Sequence, residues 1–216
     1  MTMATLPPDD LSCRAAVYRL LARLWQRELD SATLDKLQRA PLREAYLAAG
    51  GSVPQQIDAA LLDELASDYC QLFLGPRGHV PPYQSVWTEG RFHGAAVASL
   101  REYFALLTTR QWEDVEMPDH IAIAFEVMAY LLEQLQPSDC TASQQAATLD
   151  LTAAFFRDHV AWIEPLCAAA GQRAQTQFYR DMIRVTSRFF VHEAANWLAS
   201  HDELAACISV GLGHEC

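Results

Sequence analysis

Apolar residues recur every three to four positions through most of the chain, the spacing that lays one stripe along a helix. Val17, Leu20, Leu21, Leu24 and Trp25 form the first stripe and predict a helix from Leu11 to Glu28. A shorter helix follows from Ala32 to Arg39, ended by Pro41, and another from Leu42 to the glycine pair Gly50-Gly51. Ile57, Leu61, Leu65, Tyr69, Leu72 and Phe73 mark the next, which closes at Gly75. The period then lapses from Gly75 to Gly90, where glycines and prolines crowd the run Gly75-Pro-Arg-Gly-His-Val-Pro-Pro82. An irregular stretch of that length is unusual in a helical domain and tends to be functional or disordered. Its second half, Pro81-Pro82-Tyr83-Gln84-Ser85-Val86-Trp87, is aromatic and stiffened by proline, which a disordered linker would not be.

Helical spacing resumes over Val97, Leu100, Tyr103, Phe104 and Leu107, pauses through the acidic segment Glu113 to Glu116, and restarts at Pro118, a favourable first-turn residue. Ile121, Phe125, Met128, Leu132 and Leu135 carry that helix towards Pro137. Leu149, Phe156, Val160 and Ile163 define another that Pro165 ends or kinks, and final helices are expected over Phe178–Leu198 and Asp202–Val210. No strand-like alternation and no repeat of solenoid length appears. The pattern predicts an all-α fold of roughly nine to ten helices in one globular domain spanning 1–216, with room for two helical subdomains hinged near 108–117.

The composition, 51% hydrophobic and 20% charged in 216 residues, suffices to bury a core. Sixteen Lys and Arg against 27 Asp and Glu give a net charge of −11, which repels a phosphate backbone and disfavours nucleic acid as a partner. Apolar runs fall well short of the roughly 20 residues a membrane span requires, and the first ten residues lack a secretory pattern; a soluble, cytoplasmic protein is expected. The six cysteines stand singly, without a CxxC pair, and predict neither a disulfide framework nor a zinc knuckle.

Enzymatic chemistry finds little support. His192-Glu193-Ala-Ala-Asn196 lacks the second histidine of a zincin helix and reads as a polar patch. Ser85 has no flanking glycines for a nucleophile elbow. Gly75-Pro-Arg-Gly78 is too sparse for a standard phosphate loop. Asp119-His120 is the one acid/base pair, in which the aspartate can orient the imidazole or cap a helix. No catalytic residue, metal or resident cofactor is therefore assigned.

The residues Tyr69-x-x-Leu72-Phe73-x-Gly75-Pro76, then Pro81-Pro82-Tyr83-x-Ser85-Val86-Trp87, and later Met117-Pro118-Asp119-His120-Ile121 resemble the paired signature of the TorD/DmsD family of redox-enzyme maturation chaperones. The resemblance implies a TorD-like helical fold and a cytoplasmic chaperone. Such a chaperone binds the twin-arginine leader of a molybdenum-containing oxidoreductase of the DMSO/TMAO reductase type, assists cofactor insertion and holds back export. It also implies a monomer or a homodimer that exchanges helices, and it leaves open a weak contact with a guanine nucleotide or the molybdenum cofactor. The site it implies comprises Tyr69, Leu72, Phe73, Gly75, Pro76, Pro82, Tyr83, Ser85, Val86, Trp87, Pro118, Asp119 and His120, to which the acidic run adds Glu116. In this reading Asp119 accepts an arginine or fixes His120. One departure is Ala124, where the family commonly places a glutamate; Glu126, two positions on, is turned by about 200° on a helix and cannot replace it.

The physical requirement agrees. Two guanidinium groups beside an apolar stretch call for carboxylates next to an apolar groove. Glu113, Asp114, Glu116 and Asp119 supply the first, and Leu72, Phe73, Tyr83, Val86 and Trp87 the second. Two other readings stay open: a chaperone of the same fold for a leaderless metalloenzyme such as a nitrate reductase, and an Asp-His acid/base enzyme.

Overall fold

The computed structural model describes residues 11–107, 109, 111–136 and 141–198. Helix α1 spans Leu11–Gln26, α2 Ser31–Leu37, α3 Leu42–Ala48 and α4 Ala59–Tyr69, which runs on into a π-helical turn, Cys70–Leu74. Then come α5 (Gln84–Glu89), α6 (Ala95–Leu106), α7 (Ile121–Gln134), α8 (Ala142–His159), α9 (Ile163–Arg173) and α10 (Gln177–Trp197). The starts of these helices follow side-chain chemistry: Asp30, Asp58, Thr141 and Thr176 each accept a backbone N–H of the first turn of α2, α4, α8 and α10. Asp30 also receives Arg23, and its bonds to Thr33 are the main reason its carboxyl is held down at about 2.

Helix α1 is the hub. It packs along α7, where Arg19 reaches Glu133 and Glu126 and Ser12 reaches Gln136 just past its end, and side chains tie it to α10, where Arg14 meets Glu193 and Trp25 meets Thr186. Low numbers of α1 thus face high numbers of both neighbours, so α7 and α10 run antiparallel to it. Leu21, Leu24 and Trp25 of the first apolar stripe are buried, together with Tyr18, while Val17 and Leu20 are half-buried. The buried apolar residues form one cluster that also takes in Leu65 and Phe73 from the α4 side and Phe155, Phe156 and Leu166 from α8 and α9.

Three elements differ from the sequence pattern, each for a local reason. The stretch Gly75–Gly90 is irregular only in its first half, because α5 forms over Gln84–Glu89 and ends at Gly90, whose φ of 71° is the left-handed conformation that stops a helix. Helix α7 begins at Ile121 rather than Pro118, because the Ile121 N–H is drawn out to Pro82 O and His120 caps the helix. The break between α8 and α9 falls at 160–162, before Pro165, which sits harmlessly in the first turn of α9; Trp162 Nε1 donates to His159 O there at 2.8 Å. The helix expected over Asp202–Val210 lies outside the described residues.

His192-Glu193 is not a solvated polar patch. Glu193 is fully buried and receives Arg14 Nε at 2.8 Å, Arg14 Nη2 at 2.9 Å, Tyr18 OH at 3.0 Å and Trp197 Nε1 at 2.9 Å. Arg14 also lies over the Trp197 ring, 4.9 Å from its centre. Glu193 therefore ties α1 to α10. Glu126 is likewise spoken for: it faces α1, where Arg19 holds it at 3.1 Å, while Ala124 is buried in α7.

Candidate functional site

The two signature segments meet through a single antiparallel bridge between Tyr83 and His120. Gln84 N donates to Asp119 O at 2.8 Å, and Ile121 N donates to Pro82 O at 2.9 Å. The Asp119 side chain adds a third tie, accepting Ser85 N at 3.1 Å. Asp119 is 2% exposed, so its carboxylate anchors the start of α5 from below instead of facing solvent. Its other oxygen, Oδ1, and the buried Ser85 hydroxyl have no partner among the described residues. Above this anchor the ring of Tyr83 stands edge-on to His120, 5.0 Å between centres, and edge-on to Phe92 at 5.5 Å. Trp87 Nε1 donates to Pro81 O at 2.7 Å and closes the turn over the prolines.

Leu72 and Phe73 lie in the π-helical turn and are both buried. Phe73 packs against Trp25 and Tyr69, and the Tyr69 hydroxyl donates to Trp25 O at 3.1 Å. Val80 N returns to Leu72 O at 2.6 Å, so the glycine-proline stretch is drawn back onto the turn. Burial, with the phenol of Tyr83 nearby, raises Tyr69 well above the ordinary tyrosine range.

A second anchor comes from Gln84, a position the motifs leave unspecified. Its Nε2 donates to Asp158 O at 2.6 Å, which obliges its Oε1, 2.9 Å from His159 Nδ1, to act as acceptor. His159 therefore carries its proton on Nδ1 and uses Nε2 to accept from the Ser99 hydroxyl at 3.1 Å. The start of α5 is thus fixed on one side to Asp119 and on the other to the end of α8.

Both histidines are neutral at pH 7. Burial pushes His120 and His159 down to about 4, against the opposing pull of Asp119 and Asp158. His120 Nδ1 accepts the Ala122 N–H at 3.0 Å, a role open only to the unprotonated nitrogen. Between the ordinary value of 6.5 and about 4 the unfolded chain binds protons that the folded one refuses, so stability present above pH 6.5 is lost as pH falls through that window. We expect the thermal midpoint to drop progressively from pH 6.5 to pH 4, with a shallower slope in His120→Asn/His159→Gln. Equal slopes in the variant and the wild type would contradict this assignment.

The residues implied by the motifs thus divide. Tyr69, Leu72, Phe73, Pro82, Ser85, Pro118 and Asp119 are buried and shape the site from behind. Tyr83, Val86, Trp87 and His120 are half-buried at its surface. Glu116 is exposed in the acidic segment with Glu113 and Asp114, and no bond ties it to the bridge. Gly75 and Pro76 line a different cavity, shared with Arg77 and Arg173. Phe92, Gln84 and His159 are not singled out by the sequence pattern. The first follows the irregular stretch as an isolated aromatic, and the other two are recognisable only through pairing across the fold. Among the described residues no three His, Cys, Asp or Glu side chains are grouped to hold a metal ion, and no helix is long and apolar enough to cross a membrane.

Residues 33–168 match the family model described as the nitrate reductase delta subunit. The chain is similar to chaperone protein TorD of Shewanella loihica, 30% identical over 80% of this chain and 87% of that one. It is also similar to TorD of Shewanella pealeana, 24% identical over 92% and 95% of the two chains. Among solved structures it resembles one assigned to a redox enzyme maturation protein from Archaeoglobus fulgidus, with a TM-score of 0.53 and 21% identity over 82% of this chain and 93% of that one, a likeness of fold. The stretch from α2 into α9 that carries both signature segments lies inside the family match. The chain belongs to the nitrate reductase delta subunit family, as a TorD-type chaperone and not an enzyme.

Proposed function

We propose that this chaperone binds the twin-arginine leader of a molybdenum-containing oxidoreductase in the cytoplasm, with the Tyr83–His120 bridge as the floor of the leader site, and holds the apoenzyme while its cofactor is inserted. The observation that supports this most is the surface the bridge creates. Tyr83, Val86 and Trp87 lie half-exposed beside Phe92, which is 47% exposed, and together they offer an aromatic bed for the apolar part of a leader. Burial of Asp119 alters the assignment of charges. The arginine acceptors are the exposed acids of the segment before α7, Glu113, Asp114 and Glu116, and Asp119 holds the bed in place. His120 contributes a neutral ring and a helix cap, not a charge.

Capture during co-expression tests the proposal. A molybdoenzyme precursor with its leader should co-purify with the protein, and the same precursor without the leader should not. The double variant Trp87→Ala/Phe92→Ala should lower the yield of complex about tenfold or more, the loss expected for removing two aromatic anchors at an interface.

A second reading, a client without a leader, is supported by the description of the family model as a nitrate reductase subunit. Equal capture of the precursor with and without its leader would favour it.

A further inference from the structure

The sequence Gly75-Pro-Arg-Gly78 falls short of a phosphate loop by its spacing, yet the fold gives its arginine a partner from a distant segment. A cavity of about 360 Å³ opens between the π-helical turn and the link from α9 to α10, lined by Gln71, Leu72, Gly75–Gly78, Arg173 and Gln175. Arg77 and Arg173 face it from segments far apart in the sequence, and neither guanidinium has a hydrogen bond or an ion pair among the described residues. Arg14, Arg19, Arg23, Arg27, Arg91, Arg157 and Arg184 each hold a carboxylate, Arg101, Arg180 and Arg188 reach backbone carbonyls, and Arg39 and Arg43 stand exposed without such a bond among the described residues. Arg77 and Arg173, exposed like Arg39 and Arg43, differ from them in facing one cavity together.

The walls are fixed independently of any ligand. Asp68, 3% exposed, accepts Gln175 N at 3.1 Å, and its Oδ2 takes Thr176 N and the Thr176 hydroxyl at 2.7 Å each. That carboxylate locks the α9–α10 link against α4. Gln175 Nε2 then reaches Gln71 Oε1 at 2.6 Å and joins the two rims of the cavity. Gly78 has a φ of 70°, which favours glycine, and the guanidinium of Arg173 rests against the loop there, with Nη1 2.9 Å from where a Cβ would stand. Asp68 already spends its oxygens on backbone and hydroxyl donors, which leaves the arginines without an internal counter-charge.

We propose that this cavity is a binding site for a small ligand carrying a multiply charged oxyanion head, phosphoryl or carboxylate, gripped between Arg77 and Arg173. Guanidinium groups present paired N–H donors that match either head, and the volume suits a small molecule. The site is separate from the Tyr83–His120 bridge and does not depend on leader binding. The negative protein repels anions in general, so capture here requires local donors.

The test is calorimetric titration of the full chain with inorganic diphosphate and, separately, with malonate, at millimolar concentration and fixed ionic strength. The proteins are wild type, Arg77→Gln, Arg173→Gln and, as a control on exposed α3, Arg43→Gln. The expected result is saturable binding of at least one anion, weakened about tenfold or more in at least one of the pocket variants, as for a lost charged hydrogen bond, and unchanged in R43Q. The preferred anion tells phosphoryl from carboxylate. Absence of saturable binding to a wild-type protein with native helical circular dichroism, wild-type affinity in both pocket variants, or an equal loss in R43Q would overturn the proposal.

Discussion

Replacing Glu193 with alanine is expected to destabilise the protein by about 3–5 kcal/mol, the cost of leaving one partner of a buried ion pair alone. Glu193 is fully buried and accepts four hydrogen bonds, two from Arg14 and one each from Tyr18 and Trp197. Removing it strands a guanidinium that is only 10% exposed, between α1 and α10. The phenol and the indole lose their acceptor at the same time. Urea denaturation followed by circular dichroism measures the change. Replacing both partners at once, Arg14→Met/Glu193→Leu, should recover most of the loss, because an apolar pair leaves no stranded charge. A loss under about 1 kcal/mol in Glu193→Ala would mean that the pair is hydrated and does not tie the helices.

Asp119→Ala is expected to cost about 1–3 kcal/mol of stability, as for a buried donor left unsatisfied, and to weaken leader binding about tenfold or more. The two effects share a cause. The Asp119 carboxylate accepts Ser85 N, and without it the start of α5 keeps only the backbone bridge and the Gln84 contacts to α8. Tyr83, Val86 and Trp87 then lose their fixed height above the core. Asp119→Asn retains an acceptor oxygen, so it should bind the leader nearly as well as the wild type. If the Asp119→Asn variant were as defective as Asp119→Ala, the charge itself would be at work in recognition, and Asp119 would be an arginine acceptor despite its burial.

The helices were legible in the sequence because each buries one stripe: that of α7, Ile121, Phe125, Met128, Leu132 and Leu135, is buried throughout, and that of α1 is buried at Leu21, Leu24 and Trp25 and half-buried at Val17 and Leu20. The boundaries that moved are those governed by contacts distant in sequence. Nothing near Pro118 announces that the Ile121 N–H is taken by Pro82, 39 positions earlier, and nothing near Gly75–Gly90 announces that Asp119 supplies the acceptor that starts α5. The same limit applies to the site. Tyr83, Trp87, Asp119 and His120 could be singled out from their motifs, but whether Asp119 faces a ligand or the core depends on the bridge, which local spacing does not encode. Gln84 illustrates the point from the other side: an unremarkable residue between two motif positions becomes an anchor because the end of α8 offers it a carbonyl and an imidazole. Glu193 looked like part of a polar face because its partner on α1 stands 179 positions away.

Leader capture is tested most directly by calorimetric titration of the purified protein with a synthetic twin-arginine leader from a molybdoenzyme of the same organism, beside a version in which both arginines are lysine. Exposed carboxylates before α7 and an aromatic bed on α5 predict saturable binding to the arginine peptide, weakened by the lysine exchange, because lysine keeps the charge and loses the planar fork. Binding to neither peptide by the folded protein, across all such leaders of that organism, would contradict leader recognition and leave a client recognised through its mature body.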